Sequence, residues 1–410
     1  MPPDVRLVPI GLVPTIRYAS KLKGLTLRDS RINKLAHVIV EYSTAVKPGQ
    51  LVRITGDPVA QPLLEAIYEA VLKAGGHPYV RCAPDTLQDL FFEHANEDQL
   101  QHLNPIAKYE YEQIDVSIGV WADTNTKSLS CVDATKQGMA SAARRPLMKI
   151  FMDRAATKEL RWSGTLFPTA ASAQDAERSL RQYEDFVFEA GHLNADDPVA
   201  VWQEIEKRQQ LVVDYLSGKK MIHFQTAAGT DLHVNVEDMT WINCAGHENF
   251  PDGEVFTGPN LAAPDGGVNG VVHYSFPAVH NGREVHDIVL TFEKGRVIDA
   301  KASKNQDFLI QMLDQDEGAR SLGEIAIGTN YQIQEYTKKT LFDEKIGGTF
   351  HAAVGAGYPE SGNSNESGLH WDMVCDLRPD VSGGGGGTIT VDGEVISRDG
   401  KFVFDGWPGL

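Results

Sequence analysis

The sequence predicts an α/β N-terminal domain with a parallel sheet, followed by a C-terminal α+β domain rich in antiparallel strands. Three observations predict it. Segments of helical and strand periodicity alternate up to Val120, as they do in βαβ units. After about Lys220 the texture changes to short β-rich runs cut by glycine turns. The 410 residues also exceed what a single hydrophobic core usually organises.

In chain order, the amphipathic stretch Arg31 to Ser43 reads as a helix, Leu51 to Thr55 as a strand, Leu63 to Lys73 as a helix and Tyr79 to Cys82 as a strand. Pro48 and Gly49 mark the turn into the first strand, and Gly75 and Gly76 stop the second helix. Val116 to Val120 reads as a further buried strand. Ala173 to Leu216 is strongly helical, with Glu, Arg and Gln on one side and apolar residues on the other. Beyond it, Lys294-Gly295, Asp392-Gly393 and Asp399-Gly400 separate short strands as hairpin turns do, and Phe308 to Leu313 reads as a helix. The glycines 383–387 read as a flexible hairpin loop, with a backbone approach to substrate as the alternative. The composition shift places the domains at 26–219 and 220–410.

Charge narrows the partners. Lysine plus arginine number 38 against 56 aspartate plus glutamate, and a net charge of -18 repels phosphate backbones and anionic lipid, so neither nucleic acid nor membrane is an expected partner. No run of about 18 apolar residues occurs. The opening Val5 to Ile16 is broken by Pro9 and Pro14 and lacks the features of a signal peptide, so a cytoplasmic location is expected. Cys82, Cys131, Cys244 and Cys375 lie too far apart for zinc-ribbon or CxxC spacing and read as free thiols.

The common short motifs of nucleotide binding, the nucleophile elbow and HExxH are absent. What remains is a concentration of histidines, carboxylates and glycines between Gly246 and Arg378. In Leu369 to Leu377 the odd positions are all apolar, while the even ones include His370, Asp372 and Asp376. Period two means strand, so His370 and Asp372 share a face while Trp371 and Met373 enter the core. Such a pair suits a divalent metal, and it also suits a plain hydrogen-bonded surface pair. His351 alternates with Phe350 and Ala352 on another strand, entered through Gly347-Gly348. Tyr358 follows on a tight loop. Glu254 opens a strand after the turn Pro251-Asp252-Gly253, and Glu324 lies in a hydrophobic stretch where a carboxylate is costly to bury without a partner.

Taken together, five ordered blocks resemble the aminopeptidase T and aminopeptidase S family of dinuclear metallopeptidases: Asn249 to Thr257, Leu322 to Asn330, Asp343 to Thr349 with His351, Tyr358 to Glu360, and His370 to Val374. Arg161 to Thr169 looks like a family segment too, and residues 1–25 look like an N-terminal extension. The resemblance implies that Glu254, Glu324, His351, His370 and Asp372 bind two divalent metal ions (zinc, cobalt or manganese), with Glu324 bridging and Tyr358 catalytic. Glu344 is implied only as a supporting or structural residue. The implied protein is a homodimer that cleaves the N-terminal residue from short peptides with a free N-terminus. Two alternatives compete. Some proteins resembling this family are mononuclear iron dioxygenases that open hydroxylated pyridine rings, for which His351, His370 and Asp372 would be the triad, and Glu254 and Glu324 would then be left without purpose. A non-catalytic peptide-binding protein would have a broken constellation, and here every member is present.

Overall fold

The computed structural model describes residues 29–379 and 385–408; the N-terminal extension and glycines 383 and 384 fall outside these. The first sheet is five-stranded and parallel, ordered His77–Cys82, Leu51–Gly56, Val116–Trp121, Arg161–Leu166 and Asn249–Phe250. Val52, Ile54, Val116 and Ile118 have no exposed surface, because helices of the same core pack over the sheet. The helix Gln61–Lys73 contributes Leu63, Ile67 and Val71, which recur at helical spacing. Ser30–His37 is capped by Asp29, whose carboxylate accepts from the Arg31 backbone N–H at 2.8 Å. The expected helix to Ser43 is present, but it widens into a π-helix over Val38–Ser43.

The helical region before Lys220 is three helices, Ala170–Asp175, Leu180–Ala190 and Pro198–Leu216. The last of them joins two cores. Its Trp202 packs on Phe250 beside the parallel sheet, while Val212, Val213 and Leu216 enter the core of the C-terminal half. That half holds an antiparallel eight-stranded sheet and an antiparallel five-stranded sheet. The two pack face to face, with the rings of Phe224 and Phe350 stacked at 4.2 Å. Lys294-Gly295, Asp392-Gly393 and Asp399-Gly400 all have positive φ at both residues, the backbone that two-residue hairpin turns require. The helix expected near Phe308 runs Gln306–Leu313.

Two segments from beyond Lys220 return to the first core. Asn249–Phe250 extends the parallel sheet, and Ile333, Leu341, Phe342 and Ile346 pack among its helices. This return path carries Glu344 and Lys345 into the space between the two halves.

Candidate metal centre

The five-stranded antiparallel sheet has the order His370–Asp376, Thr349–Gly355, Leu322–Gly328, Glu254–Thr257 and Ile242–Cys244. Its register explains the site. Glu324 lies opposite Ala353, which lies opposite Asp372, so the two carboxylates stand on one face with a methyl group between them. His351 and His370 are two residues before Ala353 and Asp372 and share that face, and Glu254 pairs with Gly328, four residues along from Glu324. The opposite face sends Ile325, Phe350, Ala352, Trp371 and Met373 into the core. Gly347 and Gly348 make the sharp entry to the central strand: a Cβ on Gly347 would sit 2.6 Å from the Tyr331 ring, and Gly348 has φ of +90°.

The five predicted ligands converge. Glu324 turns one carboxylate oxygen to each histidine, Oε1 lying 3.2 Å from His351 Nε2 and Oε2 3.4 Å from His370 Nε2. Asp372 Oδ1 is 3.3 Å from His370 Nε2, and Glu254 Oε2 is 3.5 Å from His351 Nε2. Both imidazoles are oriented from behind. Nδ1 of His351 donates to the Glu344 carbonyl at 3.0 Å and Nδ1 of His370 to the Ala356 carbonyl at 2.8 Å. A carbonyl can only accept, so these bonds fix a proton on Nδ1 and turn Nε2 toward the carboxylates, where a bound ion would displace any proton it carries. Glu254 and Glu324 with His351, and Glu324 with His370 and Asp372, each bring their donor atoms within 4.8 Å of one another.

Two residues join that sequence reasoning undervalued. Glu344 forms a third such group with His351 and Asp372. Lys345, only 1% exposed, hydrogen-bonds Glu254 Oε1 and reaches Glu344 Oε1 at 2.8 Å and Asp252 Oδ1 at 3.5 Å. The signal was present in the acidic pair before Lys345, set between Phe342 and Ile346, but a lysine is exposed by default.

The electrostatics show a surplus of negative charge. Asp252, Glu254, Glu324, Glu344 and Asp372 face one lysine and two imidazoles in a largely buried space, where the His370 side chain keeps 25% of its surface exposed. Burial pushes the Glu254 carboxyl up to about 8 against the pull of Lys345 and His351. Burial opposes charge on His351 as well, but Glu324, Glu254 and Asp372 outweigh it and lift the imidazole to about 9. The most telling atom is Glu254 Oε2, which is buried and has no hydrogen-bond partner. An orphaned carboxylate oxygen costs free energy unless a cation meets it, and mixed imidazole and carboxylate donors fit a divalent transition ion.

Tyr358 caps the short turn Pro359–Ser361, with its ring edge-on to Phe256 at 5.3 Å and to His370 at 5.1 Å. Burial, then the charges of Glu324 and Asp372, raise its phenol well above the usual value, so it stays protonated and can donate. Next to the cluster, a cavity of about 490 Å³ is bordered by Glu344 and by Trp121, Asp123, Lys127 and Lys339, beyond the C-terminal end of a parallel strand.

A parallel α/β sheet beside an antiparallel sheet that gathers buried carboxylates and imidazoles is the build of a metal-dependent enzyme. The chain belongs to the thermophilic metalloprotease family M29, whose family model matches residues 28–402. It is 27% identical to Aminopeptidase 2 of Geobacillus stearothermophilus over 92% of this chain and 98% of that one. Its fold is that of AmpT from Thermus thermophilus, with a TM-score of 0.78 and 24% identity over 92% of this chain and 99% of the other. A 2,5-dihydroxypyridine dioxygenase from Pseudomonas putida KT2440 shares the fold more distantly, with a TM-score of 0.54 and 13% identity over 92% and 98%. Among the described residues, no helix is long and apolar enough to cross a membrane.

Proposed function

We propose that the protein is a dinuclear metallo-aminopeptidase that removes the N-terminal residue from short peptides. The observation that carries this is the arrangement of Glu324, with one oxygen toward each histidine, beside the Glu254 oxygen that lacks a hydrogen bond and stands 3.5 Å from His351 Nε2. Glu254, Glu324 and His351 would hold one ion and Glu324, His370 and Asp372 the other, with zinc, cobalt or manganese suited to these donors. When bound, such a pair supplies Lewis acidity and a water acidic enough to yield hydroxide near neutral pH.

The chain's own groups do the rest. The Tyr358 phenol donates a hydrogen bond to the scissile carbonyl oxygen as negative charge develops there. The excess of carboxylates attracts the α-ammonium of a peptide, which favours a free N-terminus over an internal bond. Glu324 fixes the spacing between the two halves of the centre, and the carbonyls of Glu344 and Ala356 hold the histidines in the liganding tautomer. The cavity bordered by Glu344 offers room for a short peptide. A homodimer working in the cytoplasm completes the reading.

The dioxygenase fold neighbour gives the competing chemistry, but a single iron on His351, His370 and Asp372 leaves the buried Glu254 and Glu324 without a role. The test is to strip metal with a chelator and follow release of the first residue from leucine-containing tripeptides after adding zinc, cobalt or manganese. N-acetylated peptide is the control. Recovery by metal and loss on acetylation support the reading. No turnover with any metal, together with consumption of a hydroxypyridine under iron and oxygen, overturns it.

A further inference from the structure

We propose a second, separate metal site on the outer face of the eight-stranded sheet, in which His223, His233 and Asp231 bind one divalent ion of the zinc, nickel and copper class. The strands Met221–Thr226 and Asp231–Asn235 pair antiparallel with His223 opposite His233. Their alternation sends Ile222, Phe224, Leu232 and Val234 into the core with no exposed surface, which forces both histidines and Asp231 onto the other face.

The three side chains have already gathered. The imidazoles stack with centroids 3.8 Å apart and planes at 12°. Asp231 Oδ1 lies 2.6 Å from His223 Nε2 and 3.6 Å from His233 Nε2. One donor atom from each residue lies within 4.8 Å of the others. In a tetrahedral zinc site with bonds of about 2.0–2.1 Å, neighbouring donor atoms stand about 3.4 Å apart. The observed spacings bracket that value, and the His233 ring, 50% exposed, can adjust by rotating about its own side-chain bonds. Binding replaces the proton on His223 Nε2, which moves to Nδ1 of the same ring or to solvent. Two imidazoles and one carboxylate leave a fourth position for water. The ion clamps the two strands of the hairpin across their register, away from the five-stranded sheet that carries the candidate metal centre.

The test uses zinc as the probe on the full chain. Zinc is counted by equilibrium dialysis and elemental analysis, and melting temperature is followed against zinc concentration, for the native protein, His233→Gln and Asp231→Asn. Both replaced side chains are solvent-facing, so both variants should fold. The native protein should hold one more zinc than His233→Gln, with a zinc-dependent rise in melting temperature that the variant lacks. In Asp231→Asn the affinity of that ion should fall by at least the roughly 10–100-fold that loss of an outer hydrogen-bond partner costs. Copper bound to the native protein should give a paramagnetic resonance spectrum with imidazole nitrogen couplings that weaken in His233→Gln. An equal zinc count, with equal melting shifts in all three proteins, overturns the proposal.

Discussion

The two antiparallel sheets each carry histidines and a carboxylate at alternate positions, and they differ in what lies over them. On the five-stranded sheet the polar face is closed in by the segment around Glu344 and Lys345 and by Tyr358, so His351 is 1% exposed. On the eight-stranded sheet the face is open, and the His233 side chain is 50% exposed. The donor types are the same and the energetics are not. In water, a carboxylate beside an imidazole gains little, because solvent serves both groups nearly as well. In a closed space each charge must find a partner in the protein or in a bound ion, and removing one strands the others. Burial therefore turns an ordinary strand pattern into a site with consequences.

The contrast can be broken most forcefully by making one change in both places. Asp372→Asn keeps the shape of the side chain and removes a charge inside the closed face. It should lower peptide turnover by at least about 1,000-fold, beyond the 10–100-fold typical of losing an outer partner of a metal site. Steady-state kinetics with metal content measured in parallel checks this, and turnover within tenfold of the native protein would remove Asp372 from the centre.

Lys345→Met tests the closed face through stability. It leaves Asp252, Glu254 and Glu344 without their shared cation, and loss of one partner from a buried ion pair costs about 3–5 kcal/mol. Denaturant midpoints of the metal-free protein should show it, and added divalent metal should recover part of the loss because the ions meet the same carboxylates. Tyr358→Phe should be gentler on the fold. It should lower kcat by about 100- to 1,000-fold, the usual cost of one oxyanion donor, with KM changed far less. A fall in KM-dependent rates alone would assign Tyr358 to binding.

Much of this was legible from alternation alone. Leu369 to Leu377 declares its two faces because apolar and polar residues take turns, and the structure puts Trp371, Met373 and Cys375 in the core. What alternation cannot say is whether the polar face meets water. His223 and His233 stand in strands as regular as that of His351, and it is the segment around Glu344 and Lys345, together with Tyr358, that covers one face while the other stays more open. Glu254 stood out by the turn before its strand and Glu324 by its apolar surroundings, not by periodicity, and the five ordered blocks of resemblance then implied their roles as ligands. Lys345 was missed because its burial depends on three acidic residues, two of them distant in sequence. Asn249–Phe250 joins the parallel sheet with two residues, too few to carry a period.

The smallest expected effect sharpens the comparison from the open side. Asp231→Asn repeats the chemical change of Asp372→Asn where solvent can replace what is lost, so the metal-free protein at pH 8 should change in stability by no more than about 0.5 kcal/mol. Peptide turnover should be unchanged. Acid should separate the two proteins. Burial, then the charge of His223, lowers the His233 imidazole in the folded state, and Asp231 works against that shift. The unfolded chain therefore takes up a proton more readily than the folded one, and this contribution to stability is lost as pH falls through the unfolded value of about 6.5. Without Asp231 the folded imidazole falls further, so the variant should lose more stability than the native protein between pH 7 and pH 5. Urea midpoints at pH 8 and pH 5.5 measure the difference. A large loss already present at pH 8 would mean that the open face holds its charges as tightly as the closed one, and that covering the face is not what separates the two sites.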